Sequence, residues 1–273
     1  MMQNSLKYGL FLGTMLLSTC LRAYTQASVD SNKTTEHMKT VLHKANTRGH
    51  ANHGWLDSHH TFSFAGYYDP ARVHFGALRV LNDDIVKGGA GFGQHPHDNM
   101  EIISIPLRGS LEHGDNTGGH GVIKSGEVQI MSAGSGIAHS EKNASKTDEV
   151  NFLQVWVFPK EKNIQPRYDQ KLFPAEERLN KFQTVVSPEK NDGSLWINQD
   201  AWFSLGKLAK GFSIDYTVNK NTNGVYAFVI EGDVTINGQQ LNRRDGFGVW
   251  DVEKLTILAD SDAEVLLMEV PMN

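Results

Sequence analysis

Apolar residues in this chain come in short runs broken every few positions by glycine, proline or small polar residues. Residues 75–81, 101–107 and 127–131 are such runs, rich in β-branched and aromatic side chains, and each predicts a strand. Residues 152–158 (FLQVWVF) are almost uninterrupted and end at Pro159, which predicts a strand buried on both faces. Turn signals stand between the runs at Asn82-Asp83-Asp84, Lys87-Gly88-Gly89, Gly118-Gly119, Asn191-Asp192-Gly193, Asn223-Gly224, Gly232-Asp233 and Asn237-Gly238. Asn-Gly between apolar runs is a hairpin cue, because both residues tolerate the positive φ of a tight turn. Helical periodicity is nearly absent. Residues 164–181 are charged and proline-containing, and predict a connection with a short helix over residues 175–179.

The pattern also repeats. Residues 105–112 (IPLRGSLE) parallel residues 228–235 (FVIEGDVT), and Ser125-Gly126-Glu127-Val128 parallels Asp245-Gly246-Phe247-Gly248. Two copies of one all-β unit are expected, as sandwich or barrel. At 273 residues with 39% hydrophobic and 21% charged side chains, the composition is that of a folded protein. A formal net charge of -5 without a Lys/Arg block speaks against nucleic acid or an anionic membrane as partner. The single cysteine rules out an intrachain disulfide and a cysteine-based zinc cluster.

The first residues read differently. Lys7 precedes an apolar segment at residues 8–17 (YGLFLGTMLL), too short to span a bilayer comfortably, and Thr25-Gln26-Ala27 offers small residues for a signal peptidase. A signal peptide over residues 1–27, a polar linker over 28–40 and export to the periplasm are expected. In the alternative, Cys20 after Leu17-Ser18-Thr19 resembles a lipoprotein box, and only its lipidation would bring the protein to a membrane.

Candidate chemistry sits in two stretches. His95 and His97 are two apart, as are His139 and Glu141, and residues two apart on a strand share a face. If the two strands lie side by side, three imidazoles and a carboxylate converge, a donor set suited to a first-row divalent ion such as Fe(II). All 12 histidines lie at or before His139, so the second repeat cannot build a histidine site.

The spacing Gly89-x5-His95-x-His97-x3-Glu101, with Gly126 and His139-x3-Asn143 beyond it, resembles the two motifs of the cupin superfamily. Residues 48–58 (RGHANHGWLDS), 61–64 (TFSF), Tyr67-Tyr68-Asp69-Pro70, His95-Pro96-His97, 136–141 (GIAHSE) and 192–195 (DGSL) look like a pirin, similar to the bacterial pirin-like quercetinases. The likeness covers residues 41 to about 271.

It implies an all-β bicupin, two β-barrels face to face, with a metal-binding domain over 41–165 and a domain without ligands over 166–273. It implies one divalent metal ion, Fe(II) foremost with Mn, Co, Ni, Cu or Zn as alternatives, held by His95, His97, His139 and Glu141. The general cupin pattern nominates Glu101 instead, ranked here behind Glu141 as a supporting partner or substitute. The implied activity is quercetin 2,3-dioxygenase: a small aromatic substrate and O₂, with ring opening and carbon monoxide release. Glu141 would take the flavonol proton and Phe92 would help line the pocket. A redox-sensing or partner-binding pirin is the alternative, and a Zn or Mn hydrolase or isomerase a third reading. His50, His53, His59 and His60 are assigned to N-terminal strands and turns, His113 and His120 to the pocket's border. A monomer is expected.

Overall fold

The computed structural model describes residues 38–272. The expected signal peptide, Cys20 and most of the expected linker lie outside the described residues. The last three linker residues do not: after Met38, Lys39 and Thr40 open the first strand, paired with Trp250 and Val249.

Four sheets make up the fold. One seven-stranded sheet runs, edge to edge, β2 (Gly49–Asn52), β3 (Leu56–His60), β4 (Leu78–Val86), β11 (Val150–Val157), β6 (Glu101–Arg108), β9 (Glu127–Ser132) and β12 (Arg167–Leu172). A four-stranded sheet covers one of its faces: β5 (Gly91–His97), β10 (Ile137–Asn143), β7 (Ser110–Asp115) and β8 (His120–Lys124).

The second repeat has the same plan. Its large sheet is β14 (Leu195–Trp196), β13 (Phe182–Ser187), β15 (Trp202–Leu208), β22 (Ala263–Pro271), β17 (Asn223–Glu231), β20 (Gly246–Trp250) and β1 (Lys39–His43). Its small sheet is β16 (Ser213–Thr217), β21 (Lys254–Ala259), β18 (Val234–Ile236) and β19 (Gln239–Leu241). The strand that leads each repeat lies in the other repeat's large sheet: β1 pairs with β20, and β12 with β9.

The expected pair of closed barrels is corrected here. Among the described residues no ladder joins a large sheet to its small one, so every sheet is open with two free edges. The strands of the small sheets are three to seven residues long, too short to bend round and pair across both seams. Each repeat is held by side chains between its layers instead of by backbone closure.

Strand alternation shows why these layers stack. In β17, Tyr226, Phe228 and Ile230 point into a cluster shared with Leu81, Ile103, Val155 and other residues of the first repeat's large sheet. The intervening Val225, Ala227 and Val229 point into a separate cluster with Ile236, Leu255 and Ile257 of the small sheet. The two large sheets therefore pack face to face, and both faces of β17 are apolar because both are covered. β11 divides the same way. Leu153, Val155 and Val157 join the core between repeats, while Phe152, Gln154 and Trp156 turn toward the first repeat's small sheet and its cavity.

Two of the turn signals part company. Asn237 and Gly238 both have positive φ, 47° and 84°, between β18 and β19, the backbone of a two-residue hairpin turn. Asn223-Gly224 instead opens β17: Asn223 is buried, and its amide donates to Asp200 O and Glu269 Oε1. A buried carboxylate partner here outweighs the local turn preference. The expected short helix appears as a 3₁₀ turn over Ala175–Arg178.

Candidate metal centre

β5 and β10 pair antiparallel, with His139 opposite His95 and Ile137 opposite His97. This puts the three imidazoles on the inner face of the small sheet, where their ligand nitrogens all lie within 4.8 Å of one another. Ring centroids are 4.9 Å apart for His95 and His97, 4.5 Å for His95 and His139, and 4.9 Å for His97 and His139.

The rings are prepared as ligands. His95 Nδ1 lies 2.8 Å from Gly93 O. A carbonyl only accepts, so Nδ1 carries the proton and Nε2 keeps its lone pair for the cluster. His97 Nε2 and both ring nitrogens of His139 are buried without a hydrogen-bond partner. Burial, reinforced by the neighbouring imidazoles, lowers the pKa of His97 to about 4 and that of His139 to about 3. Both are neutral at physiological pH, the form that binds metal. Polar atoms hidden without partners are costly, and here they converge on one point.

Glu141 shares the inward face of β10 with His139 despite a register shift between them. Its Oε2 accepts from Gln154 Nε2 at 2.6 Å, and its Oε1 lies 2.9 Å from Ser104 Oγ. The same hydroxyl is 2.8 Å from Gln154 Oε1, so its single proton serves two acceptors. Burial above all raises the carboxyl's pKa. The carboxylate lies outside the 4.8 Å cluster of the three histidines, and borders the same cavity.

Glu101 lies elsewhere. It is on β6 in the large sheet and shares the face of Ile103 and Ile105, turned to the core between the repeats. Its Oε2 accepts from Ser132 Oγ at 2.8 Å and from the Asn198 backbone N–H at 3.2 Å. Counting by twos from His97 fails because residues 98–100, with Asn99 at φ 48°, separate strands belonging to different sheets. Ser104, of the opposite parity, is the β6 residue that reaches Glu141.

A cavity of about 810 Å³ opens over the cluster. Trp55, Phe64, Phe92 and Trp156 give it aromatic walls, and the Trp156 ring stands edge-on to His97 at 4.9 Å. Phe92 is where the sequence places it. His50, His53 and His60 also line this cavity, although none belongs to the three-histidine cluster. His113 is buried against His139, stacked on Tyr168 at 4.4 Å, with Nε2 3.0 Å from Asp115. His120 is exposed beside Glu112.

Sequence reasoning missed the polar floor: Ser58, Asn82, Asp84 and Gln154. Ser58 Oγ donates to Asp84, whose pKa burial pushes up to about 7. The signal was present as Gln154 inside an apolar run and Asp84 inside residues 78–86, polar side chains in otherwise buried strands.

Open all-β layers around buried neutral imidazoles define a cupin-like metalloprotein, and the donor set is one for a divalent metal. The chain belongs to the pirin family: residues 41–157 match the family described as Pirin, and residues 184–270 the one described as Quercetinase C-terminal cupin domain. It is 48% identical over 230 residues to the quercetin 2,3-dioxygenase of Escherichia coli (strain K12), an alignment spanning 84% of this chain and 98% of that protein. The pirin-like protein of Caulobacter vibrioides is 42% identical over 222 residues, 81% and 95% of the two chains. A bacterial pirin of Escherichia coli solved in complex with nickel(II) is 46% identical, with a TM-score of 0.81 over 86% of this chain and 100% of that one.

Two expectations follow. His139→Ala should lose one equivalent of divalent metal relative to the native protein while His53→Ala loses none, by elemental analysis of dialysed protein; unchanged metal in His139→Ala would refute the site. Glu101→Gln should keep its metal but change the pH dependence of stability. Burial raises the Glu101 pKa from 4.5 to about 7, so its contribution is fully present below about 4.5 and lost as pH rises through about 7. The variant should lack that loss, at most about 3 kcal/mol, in denaturant titrations at pH 5 and pH 8.

Proposed function

We propose that this pirin is a quercetin 2,3-dioxygenase that binds one divalent ion, Fe(II) foremost, through His95, His97, His139 and Glu141. The observation carrying this is the pairing of neutral, unpartnered imidazole nitrogens with an aromatic-walled cavity of about 810 Å³ directly over them. That volume lies in the range of small-molecule sites, and its apolar walls fit a planar flavonol. The bound ion would supply Lewis acidity toward the flavonol hydroxyl and a place for reaction with O₂.

The chain's own residues do the rest. Trp55, Phe92 and Trp156 hold the aromatic rings and exclude water. Glu141, on the cavity side of β10, takes the hydroxyl proton. Gln154 and Ser104 fix that carboxylate in place. The E. coli relative named as a quercetin 2,3-dioxygenase supports the substrate, and the nickel(II) complex of the related pirin supports a divalent ion.

Purified protein should consume quercetin and release carbon monoxide under air and not under argon. Glu141→Gln should lower kcat by about 10²-fold or more while losing less than half its metal, since an amide ligates weakly but cannot accept the proton. Equal rates for variant and native protein would remove Glu141 from the proton transfer.

Export is part of the proposal. The family match begins at residue 41 and does not include the apolar segment at residues 8–17. An apolar run that follows a lysine and precedes small residues is what the secretory machinery reads. Intact-mass measurement on protein from the native host should show a chain beginning near Ser28, or at a lipidated Cys20. An unprocessed chain in a cytosolic fraction is the contrary result.

A further inference from the structure

We propose a second divalent transition-metal site, formed by His50, Asp57 and His59 on the β2–β3 hairpin. The hairpin register sets His50 directly opposite His59 and Asn52 opposite Asp57. Directly opposed residues share a face, so both imidazoles and the carboxylate stand together. That face is opposite to Ser58 and His60, which look into the cavity. The group is distinct from the three-histidine cluster, although His50 also borders the cavity.

The three side chains already meet, and the hydrogen bond between His50 Nε2 and Asp57 Oδ1 is the contact an ion would replace. His50 and His59 stack at 4.5 Å between centroids with 21° between planes. Asp57 Oδ1 is 2.9 Å from His50 Nε2 and 3.6 Å from His59 Nδ1, and ligand atoms of all three residues lie within 4.8 Å of one another. A tetrahedral ion with bonds of about 2.0–2.1 Å keeps its ligand atoms about 3.3 Å apart, between the two observed distances.

The carboxylate is also oriented. Asn52 Nδ2 donates to Asp57 Oδ2 at 3.1 Å, and Asn52 Oδ1 accepts from the Gly54 N–H at 2.8 Å. The turn itself therefore holds the residue that leaves Oδ1 for the imidazoles, the kind of outer support that metal ligands have. Arg48 is the cation nearby, and Asp83, opposite His59 in the next strand, pairs with it at 3.4 Å. Two imidazoles and one carboxylate with open positions toward solvent suit Zn(II), Ni(II), Co(II) or Cu(II) better than Mg(II) or Ca(II). An ion there would tie together the two strands of the hairpin whose turn brings Trp55, and whose second strand brings His60, into the cavity wall.

Zinc uptake tests this. Metal-stripped full-chain protein is dialysed to equilibrium against Zn(II) and its metal content measured. Two ions per chain are expected for the native protein, one for His59→Ala, one for His139→Ala and none for the double variant. Asp57→Asn, which preserves shape, should weaken the hairpin ion at least tenfold. A single ion that depends on His139 and is indifferent to both His59→Ala and Asp57→Asn overturns the proposal. A single ion that depends on His59 alone upholds it and refutes the cavity site instead.

Discussion

Antiparallel pairing between β5 and β10 is the constraint on which the site depends. It sets His139 across from His95 and brings His97 beside them, so two segments about forty residues apart deliver their imidazoles to one point. Slipping the register by one residue would turn the side chains of one strand to the other face. Every other feature of the centre serves that alignment: Gly93 O fixes the tautomer of His95, and Trp156 stands against His97.

Without an ion to take up its nitrogens, the arrangement would work against stability. A buried polar atom without a partner costs about 1–3 kcal/mol, and His97 and His139 together hide three such nitrogens. Their sum is a large part of the 5–15 kcal/mol by which a domain is typically stable. The second repeat shows the alternative on the same frame. There the paired strands β16 and β21 turn Tyr216, Leu255 and Ile257 inward, and these join a continuous apolar core. One repeat keeps a reactive interior and the other fills it.

The sequence made the chemistry more legible than the architecture. His-x-His and His-x-Glu encode a face directly, because alternation within a strand is a local property, and the structure brings the three histidines together. That no histidine follows His139 was equally readable. Relations that cross a turn were not. Glu101 has the right count from His97 but sits on another sheet, and Asn223-Gly224 has turn chemistry yet is recruited into β17 by Glu269. Closure of the sheets could not be read either, since it depends on strand lengths and edge pairing, not on the hydrophobic pattern. The Ser58–Asp84 pair and Gln154 escaped for a related reason: a polar residue in an apolar run acquires meaning only when its strand's neighbours are known.

The position of β11 explains why a repeat without ligands is worth keeping. Leu153, Val155 and Val157 lock one face of this strand into the core between the large sheets, against residues such as Phe203 and Phe228. Gln154 and Trp156 on the other face hold Glu141 and border His97. A rotamer is only as fixed as the backbone that carries it, and this backbone is clamped from behind by the second repeat. β6 is placed the same way, with Ile103 and Ile105 in that core and Ser104 on Glu141. The second repeat therefore supports the three-histidine cluster through the two central strands, while all three histidines come from the first repeat.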